Sequence, residues 1–150
     1  MKNITKMTAG LALGLWGSMA HAADDLTLQL KWVTQAQFGG YYVALDKGFY
    51  EEEGLNVTIK PGGPDIAPVQ VLLGGGADVM VDWLPSALAA REKGAPIVNI
   101  AQPFAKSGLM LTCLKEHGIT KPEDFPGHTL GTWFFGNEIP LLSWMGKLGY

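Results

Sequence analysis

From Leu26 to Ala101 the chain alternates short apolar runs with glycine-ended helical segments, repeating every 20–25 residues. Strands that return at that spacing through helical crossovers lie parallel, so the chain is restricted to an α/β layer. Leu26–Leu30 alternates apolar and polar residues and predicts a first strand. A helix is expected over Tyr41–Lys47, ended by Gly48, and a further helical turn over Phe49–Glu53, ended by Gly54. Asn56–Ile59 predicts the second strand, and Pro61-Gly62-Gly63-Pro64 breaks the chain after it. Pro68 opens a helix to Leu73, since proline is tolerated at the first helical position. Ala77–Val81 predicts a third strand, Pro85–Lys93 a helix, and Ile97–Ala101 a fourth strand.

In parallel sheets ligands bind beyond the carboxyl ends of the strands. That rule selects the loops Trp32–Tyr41, Gly62–Pro68 and Asp82–Ser86. Trp32 and Trp83 are stacking candidates there. Tyr41 or Tyr42 lines the cleft while the other packs inward, and Tyr41 is counted with the ligand contacts. Asp65 is expected to cap the helix opened by Pro68. Asp78, at the entry to the third strand, is expected to bond backbone amides in a turn. No glycine segment fits the G-x-x-x-x-G-K-[ST] phosphate loop.

Farther along, Thr132-Trp133-Phe134-Phe135-Gly136-Asn137-Glu138 places three aromatics before a glycine, an amide and a carboxylate. That density exceeds what an alternating strand buries. Flat faces beside a two-oxygen acceptor suit a nitrogen heterocycle, which makes Trp133, Asn137 and Glu138 candidate ligand contacts. Glu138 also suits a helix N-terminus, where its charge opposes the helix dipole.

Residues 1–22 read as a secretory signal: Lys2 and Lys6, an apolar stretch over Met7–Ala20, and Ala20-His21-Ala22 as the cleavage site. The apolar stretch is shorter than the ~20 residues a membrane span needs. Export from the cytoplasm is therefore expected. Removing Lys2 and Lys6 from the 11 basic residues leaves nine against 14 acids, a net charge of −5. That balance disfavours nucleic acid. The single cysteine, Cys113, permits no internal disulfide and is expected as a buried small residue in the run Leu109–Leu114. His21, His117 and His128 lack metal-ligand spacing, so neither metal nor cofactor is expected. With Asp65, Asp82 and Glu138 in or beside the candidate loops and only Lys31 near them, the cleft is expected to be acidic and to reject anions.

The Trp133–Glu138 block resembles the Trp-Phe-x-Gly-Asn-Glu block of periplasmic substrate-binding proteins for thiamine pyrimidine precursors. These belong to a group that includes nitrate-, sulfonate- and taurine-binding proteins and the eukaryotic thiamine-pyrimidine synthases. The resemblance spans residues 26–150. It is supported by Trp32 with Gly39-Gly40-Tyr41-Tyr42-Val43-Ala44 and Lys47-Gly48-Phe49-Tyr50…Gly54-Leu55, by Gly76-Ala77-Asp78, and by Asp124-Phe125-Pro126-Gly127-His128-Thr129-Leu130-Gly131. Thr34 stands where the family has proline two residues after the tryptophan, and His128 stands in place of a lysine.

The resemblance implies a two-lobed periplasmic-binding-protein fold of type II. Residues 23–104 would form most of lobe one, and residues 105–150 the crossover and the start of a truncated lobe two. It implies an N-terminal fragment of a protein about twice as long. It further implies a solute-binding component of an ABC importer, monomeric at full length, that meets permease and ATPase subunits and holds hydroxymethylpyrimidine or a formylaminopyrimidine between its lobes. Riboflavin, taurine, a sulfonate or nitrate are alternative solutes. A pyrimidine-synthase-like enzyme is the remaining alternative. The related synthases carry a cysteine-rich iron site that these residues lack, so the expectation is a binding protein and not an enzyme.

Overall fold

The computed structural model describes residues 22–150; the expected export signal lies outside that range except for Ala22. Three strands form one parallel sheet in the order β2-β1-β3. β1 (Asp24–Gln29) is central. It pairs along its whole length with β2 (Leu55–Lys60), from Asp24 opposite Leu55 to Gln29 opposite Lys60. On its other side it pairs with β3 (Val79–Met80) through Leu28 opposite Val79 and Gln29 opposite Met80. The chain is thus an α/β protein with a parallel sheet.

The first crossover runs through a 3-10 turn at Ala36–Phe38, α1 (Gly39–Asp46) and α2 (Phe49–Glu52). Gly48 separates the two helices in the left-handed conformation, with φ +75°. The second crossover is α3 (Pro68–Leu73), with Pro68 at its first turn as expected. A strand flanked on both edges buries its apolar side chains, and Leu28 and Leu30 are the centre of a core with Phe38 and Val57. Each such leucine contributes roughly 1.5–3 kcal/mol by leaving water.

β3 is shorter than the five residues predicted, yet its pairing reaches farther than its length. The Asp78 amide donates to the Thr27 carbonyl at 2.9 Å, and the Val81 amide donates to the Gln29 carbonyl at 2.8 Å. The Asp78 carboxylate in turn accepts the Thr27 amide at 2.8 Å. Asp78 is structural as expected, but the amide it serves belongs to the neighbouring strand and not to a local turn. Asp65 does not cap α3: the N-cap is Ala67, without a side-chain bond.

After β3 comes α4 (Leu84–Glu92). The predicted fourth strand does not form. Residues 95–100 carry no regular structure, with Ile97 buried but Val98 and Ile100 about three-quarters exposed. The β-forming residues are there, but a ladder needs a partner edge, and β3 offers only a two-residue strand. For the same reason the Leu109–Leu114 run stays open, and Cys113 is exposed and not buried as expected.

Two 3-10 turns, Lys115–His117 and Pro122–Asp124, lead to α5 (Glu138–Leu148), which ends at Gly149. The Asp124 carboxylate accepts the Thr120 amide at 2.9 Å, the Thr120 hydroxyl at 3.0 Å and the Lys121 amide at 3.1 Å. The Thr120 amide bond is the main cause that lowers its pKa below the ordinary 3.8. Phe125, next along, packs edge-on against Trp144 of α5 with ring centres 5.7 Å apart. No helix among the described residues is long and apolar enough to cross a membrane.

Candidate functional site

The exits of β1 and β2 are stitched together at the carboxyl edge of the sheet. The buried Gln29 side chain donates to the carbonyls of Leu30 at 3.0 Å and Pro61 at 3.1 Å. The Gly62 amide donates to the Trp32 carbonyl at 2.9 Å. A Cβ at position 62 would lie 2.5 Å from the Leu30 carbonyl oxygen, so this approach requires glycine.

Register then brings two charges together. Gln29 lies opposite Met80, so two residues farther along each strand Lys31 comes beside Asp82. The Lys31 ammonium sits 2.7 Å from Asp82 Oδ1, with both side chains at most one-tenth exposed. Asp82 Oδ1 also accepts the Trp83 amide at 2.7 Å, at the start of α4. A buried pair is tolerable when its remaining groups are bonded. Lys31 meets that condition in part by donating to the Phe135 carbonyl at 3.2 Å.

That carbonyl belongs to a constrained turn. Phe135 has φ +64° and Gly136 has φ +108°. A non-glycine residue with positive φ is held there by its surroundings. Here the holding contacts are Lys31, the Ser86 hydroxyl at 3.3 Å from the same carbonyl, and Glu138, which accepts the Gly136 amide at 2.8 Å. A Cβ on Gly136 would overlap the Ser86 hydroxyl. The turn therefore pins Trp133–Asn137 against the exits of β1 and β3.

Between these elements lies a cleft of about 240 Å³. Lys31, Trp32, Gln35 and Gln37 line it from the first loop, Gly63, Pro64 and Ile66 from the second, and Trp83 from the third. Trp133, Phe134, Phe135 and Asn137 close the opposite side. Trp32 meets Trp133 edge to face, with ring centres 5.5 Å apart at 83°. Trp83 is 43% and Trp133 58% exposed, so both present ring surface to a ligand. Asn137 occupies the N-cap position of α5 without a side-chain cap bond, which leaves its amide to the cleft.

Of the six residues singled out in the sequence, Trp32, Trp83, Trp133 and Asn137 share this cleft. Tyr41 does not line it. It packs with Tyr42, both partly buried, against the β1 core. The Tyr42 hydroxyl lies 3.0 Å from that of Thr34. Glu138 is also off the lining, its carboxylate being turned to the Gly136 amide.

The expected acidic cleft is corrected by the same geometry. Among the described residues no carboxylate lines it, and its charged lining residue, Lys31, is neutralised by Asp82. Not foreseen from the sequence are the pairing of Lys31 with Asp82 and the bonds of Lys31 and Ser86 to the Phe135 carbonyl. A lysine at the end of an apolar strand was the available signal, since a buried ammonium demands an anion and Asp82 holds the matching position after β3.

A family model described as NMT1/THI5 like matches residues 35–148. Among curated relatives, the formylaminopyrimidine-binding protein of Halalkalibacterium halodurans is 28% identical over 110 residues, covering 73% of this chain and 33% of its own. The 4-amino-5-hydroxymethyl-2-methylpyrimidine phosphate synthase of Legionella pneumophila is 30% identical over 125 residues, covering 81% of this chain and 39% of its own. A putative thiamine biosynthesis protein of Haemophilus influenzae is 25% identical, covering 83% and 40%. The chain thus spans about a third to two-fifths of the length of these relatives.

These relatives correct the expectation of a protein that is not an enzyme. Several are named as synthases, alongside one named as a binding protein. The missing cysteine-rich site was a poor guide because the chain corresponds to only 39% of the Legionella synthase, and chemistry can lie in the remainder.

Proposed function

Since this chain belongs to the NMT1/THI5-like family, we propose that it binds a thiamine pyrimidine precursor, of the hydroxymethylpyrimidine or formylaminopyrimidine type, in the aromatic cleft at the carboxyl edge of its sheet. One observation carries this reading. Trp32, Trp83, Trp133 and the unengaged Asn137 amide, from separate segments of the chain, converge on one small cavity. Stacking of a flat ring on such faces is worth ~0.5–1.5 kcal/mol beyond buried area. An amide supplies both a donor and an acceptor to an aminopyrimidine edge. A cavity of about 240 Å³ lies below the roughly 300–1,000 Å³ of sites for drug-sized ligands, which favours a single ring over a flavin. The neutral Lys31–Asp82 pair favours a neutral solute over taurine, a sulfonate or nitrate.

The wider role proposed is that of a two-lobed, periplasmic solute-binding component of an ABC importer, closing on its ligand by hinge motion and meeting permease and ATPase subunits as a monomer. Export rests on the signal-like pattern of residues 1–22. The relatives named as pyrimidine phosphate synthases support a second reading, in which the same cleft serves an enzyme that makes a pyrimidine phosphate.

Mass spectrometry of the small molecules that co-purify with the protein, with fractionation of the producing cells, tests these readings. A retained unphosphorylated aminopyrimidine on periplasmic protein supports the importer role. A pyrimidine phosphate on cytoplasmic protein supports the synthase reading. A retained flavin or sulfonate refutes both.

A further inference from the structure

Among the described residues, Lys31 is the one charged side chain that lines the cleft, and its neighbours account for only part of its bonding capacity. An ammonium has three N–H donors and no acceptor. Asp82 Oδ1 takes one at 2.7 Å and the Phe135 carbonyl takes a second at 3.2 Å. Among the described residues no other hydrogen bond to the Lys31 ammonium is formed. The side chain is 10% exposed, and the cavity it lines is the one described above.

We infer that Lys31 is a specificity-determining residue of this cleft, its third N–H donating to an acceptor atom, a ring nitrogen or an oxygen, on a flat neutral heteroaromatic ligand. This rests on the pyrimidine-binding reading and deepens it. Tryptophan faces select flatness but do not distinguish a pyrimidine from a benzene ring of the same outline. A fixed ammonium does, since a ring lacking the acceptor strips water from the donor and returns nothing. Asp82 and the Phe135 carbonyl fix the ammonium position, and Asp82 cancels its charge, so the donor acts without attracting anions. The Phe135 bond also ties Lys31 to the segment that carries Trp133, so the stacking wall and the donor are set by one contact.

The test titrates the protein with 4-amino-5-hydroxymethyl-2-methylpyrimidine and with its carbocyclic analogue, in which both ring nitrogens are C–H. The pair is measured on wild type and on Lys31→Met/Asp82→Asn, a double substitution that leaves no unpaired buried charge. Wild type should prefer the pyrimidine roughly ten- to a hundredfold, the range set by one charge-assisted bond. The double variant should lose most of this preference, keeping only the part owed to the Asn137 amide. A second readout needs no variant: in protein labelled with 15N-lysine, the Lys31 ammonium resonance should shift with the pyrimidine and not with the carbocycle. A preference undiminished in the double variant, or a Lys31 resonance indifferent to the pyrimidine, overturns the role of Lys31 and leaves pyrimidine binding standing. Failure of wild type to bind the pyrimidine overturns both.

Discussion

Replacing Gly136 with alanine should damage the cleft without touching a lining residue. At φ +108° the position lies outside even the small left-handed region open to L-residues, and holding a side chain there costs roughly 1–3 kcal/mol. The new methyl group also overlaps the Ser86 hydroxyl. Ser86 must rotate away and lose its 3.3 Å bond to the Phe135 carbonyl, for about 0.5–1.5 kcal/mol more. The combined ~2–4 kcal/mol should lower the melting temperature by roughly 5–15 °C. Ser86→Ala alone should cost only the bond. Gly136→Ala/Ser86→Ala should fall short of the sum of its parts, because the overlap and the bond are the same contact. Thermal melts of the four proteins, with a pyrimidine titration of each, measure this. A Gly136→Ala protein that melts within about 1 °C of wild type and binds unchanged would refute the turn geometry and its link to the cleft.

Lys31→Met alone strands the Asp82 carboxylate and should destabilise by about 3–5 kcal/mol, with most of that recovered in Lys31→Met/Asp82→Asn; urea melts compare them. Glu138→Gln keeps an acceptor for the Gly136 amide but weakens a charge-assisted bond, so a loss of about 1 kcal/mol in stability is expected, with affinity within about threefold; a tenfold affinity loss would put the carboxylate on the ligand. Trp133→Ala removes an exposed ring, so it should cost little stability beyond the ~0.5–1.5 kcal/mol of its contact with Trp32 while lowering pyrimidine affinity at least about tenfold, read by calorimetry. Because Asp124 has a folded pKa lowered below 3.8, its support of the 120–124 turn is complete above 3.8 and lost as pH falls through the lower folded value; Asp124→Asn should abolish that acid transition in the Thr120 and Lys121 amide resonances.

The sheet was readable because its signals are local. Alternation in Leu26–Leu30, proline at 68 and the glycines after each helix mark elements wherever their partners lie. Ile97–Ala101 failed because a strand also needs an edge, which no local pattern supplies. The cleft divides in the same way. Trp32 and Trp83 were placed by the rule that ligands gather at strand ends, and Trp133 and Asn137 by their density beside a glycine. Tyr41 was misplaced because adjacent tyrosines on a short helix do not reveal which face is covered. The charge of the cleft was misjudged because Lys31 and Asp82 were counted singly, although strand register pairs them, and because Asp65 and Glu138 lie off the lining. The Phe135 carbonyl left no trace in the sequence, since any residue carries one and only the left-handed turn aims it at Lys31 and Ser86.

Calorimetric titration of wild-type protein with formylaminopyrimidine and 4-amino-5-hydroxymethyl-2-methylpyrimidine, set beside riboflavin and taurine, tests pyrimidine binding most directly. One-site saturation by at least one of the two pyrimidines is predicted, with a negative heat-capacity change from ring burial against tryptophan and no saturable heat from riboflavin or taurine. Saturation by riboflavin or taurine, with neither pyrimidine bound, would contradict it.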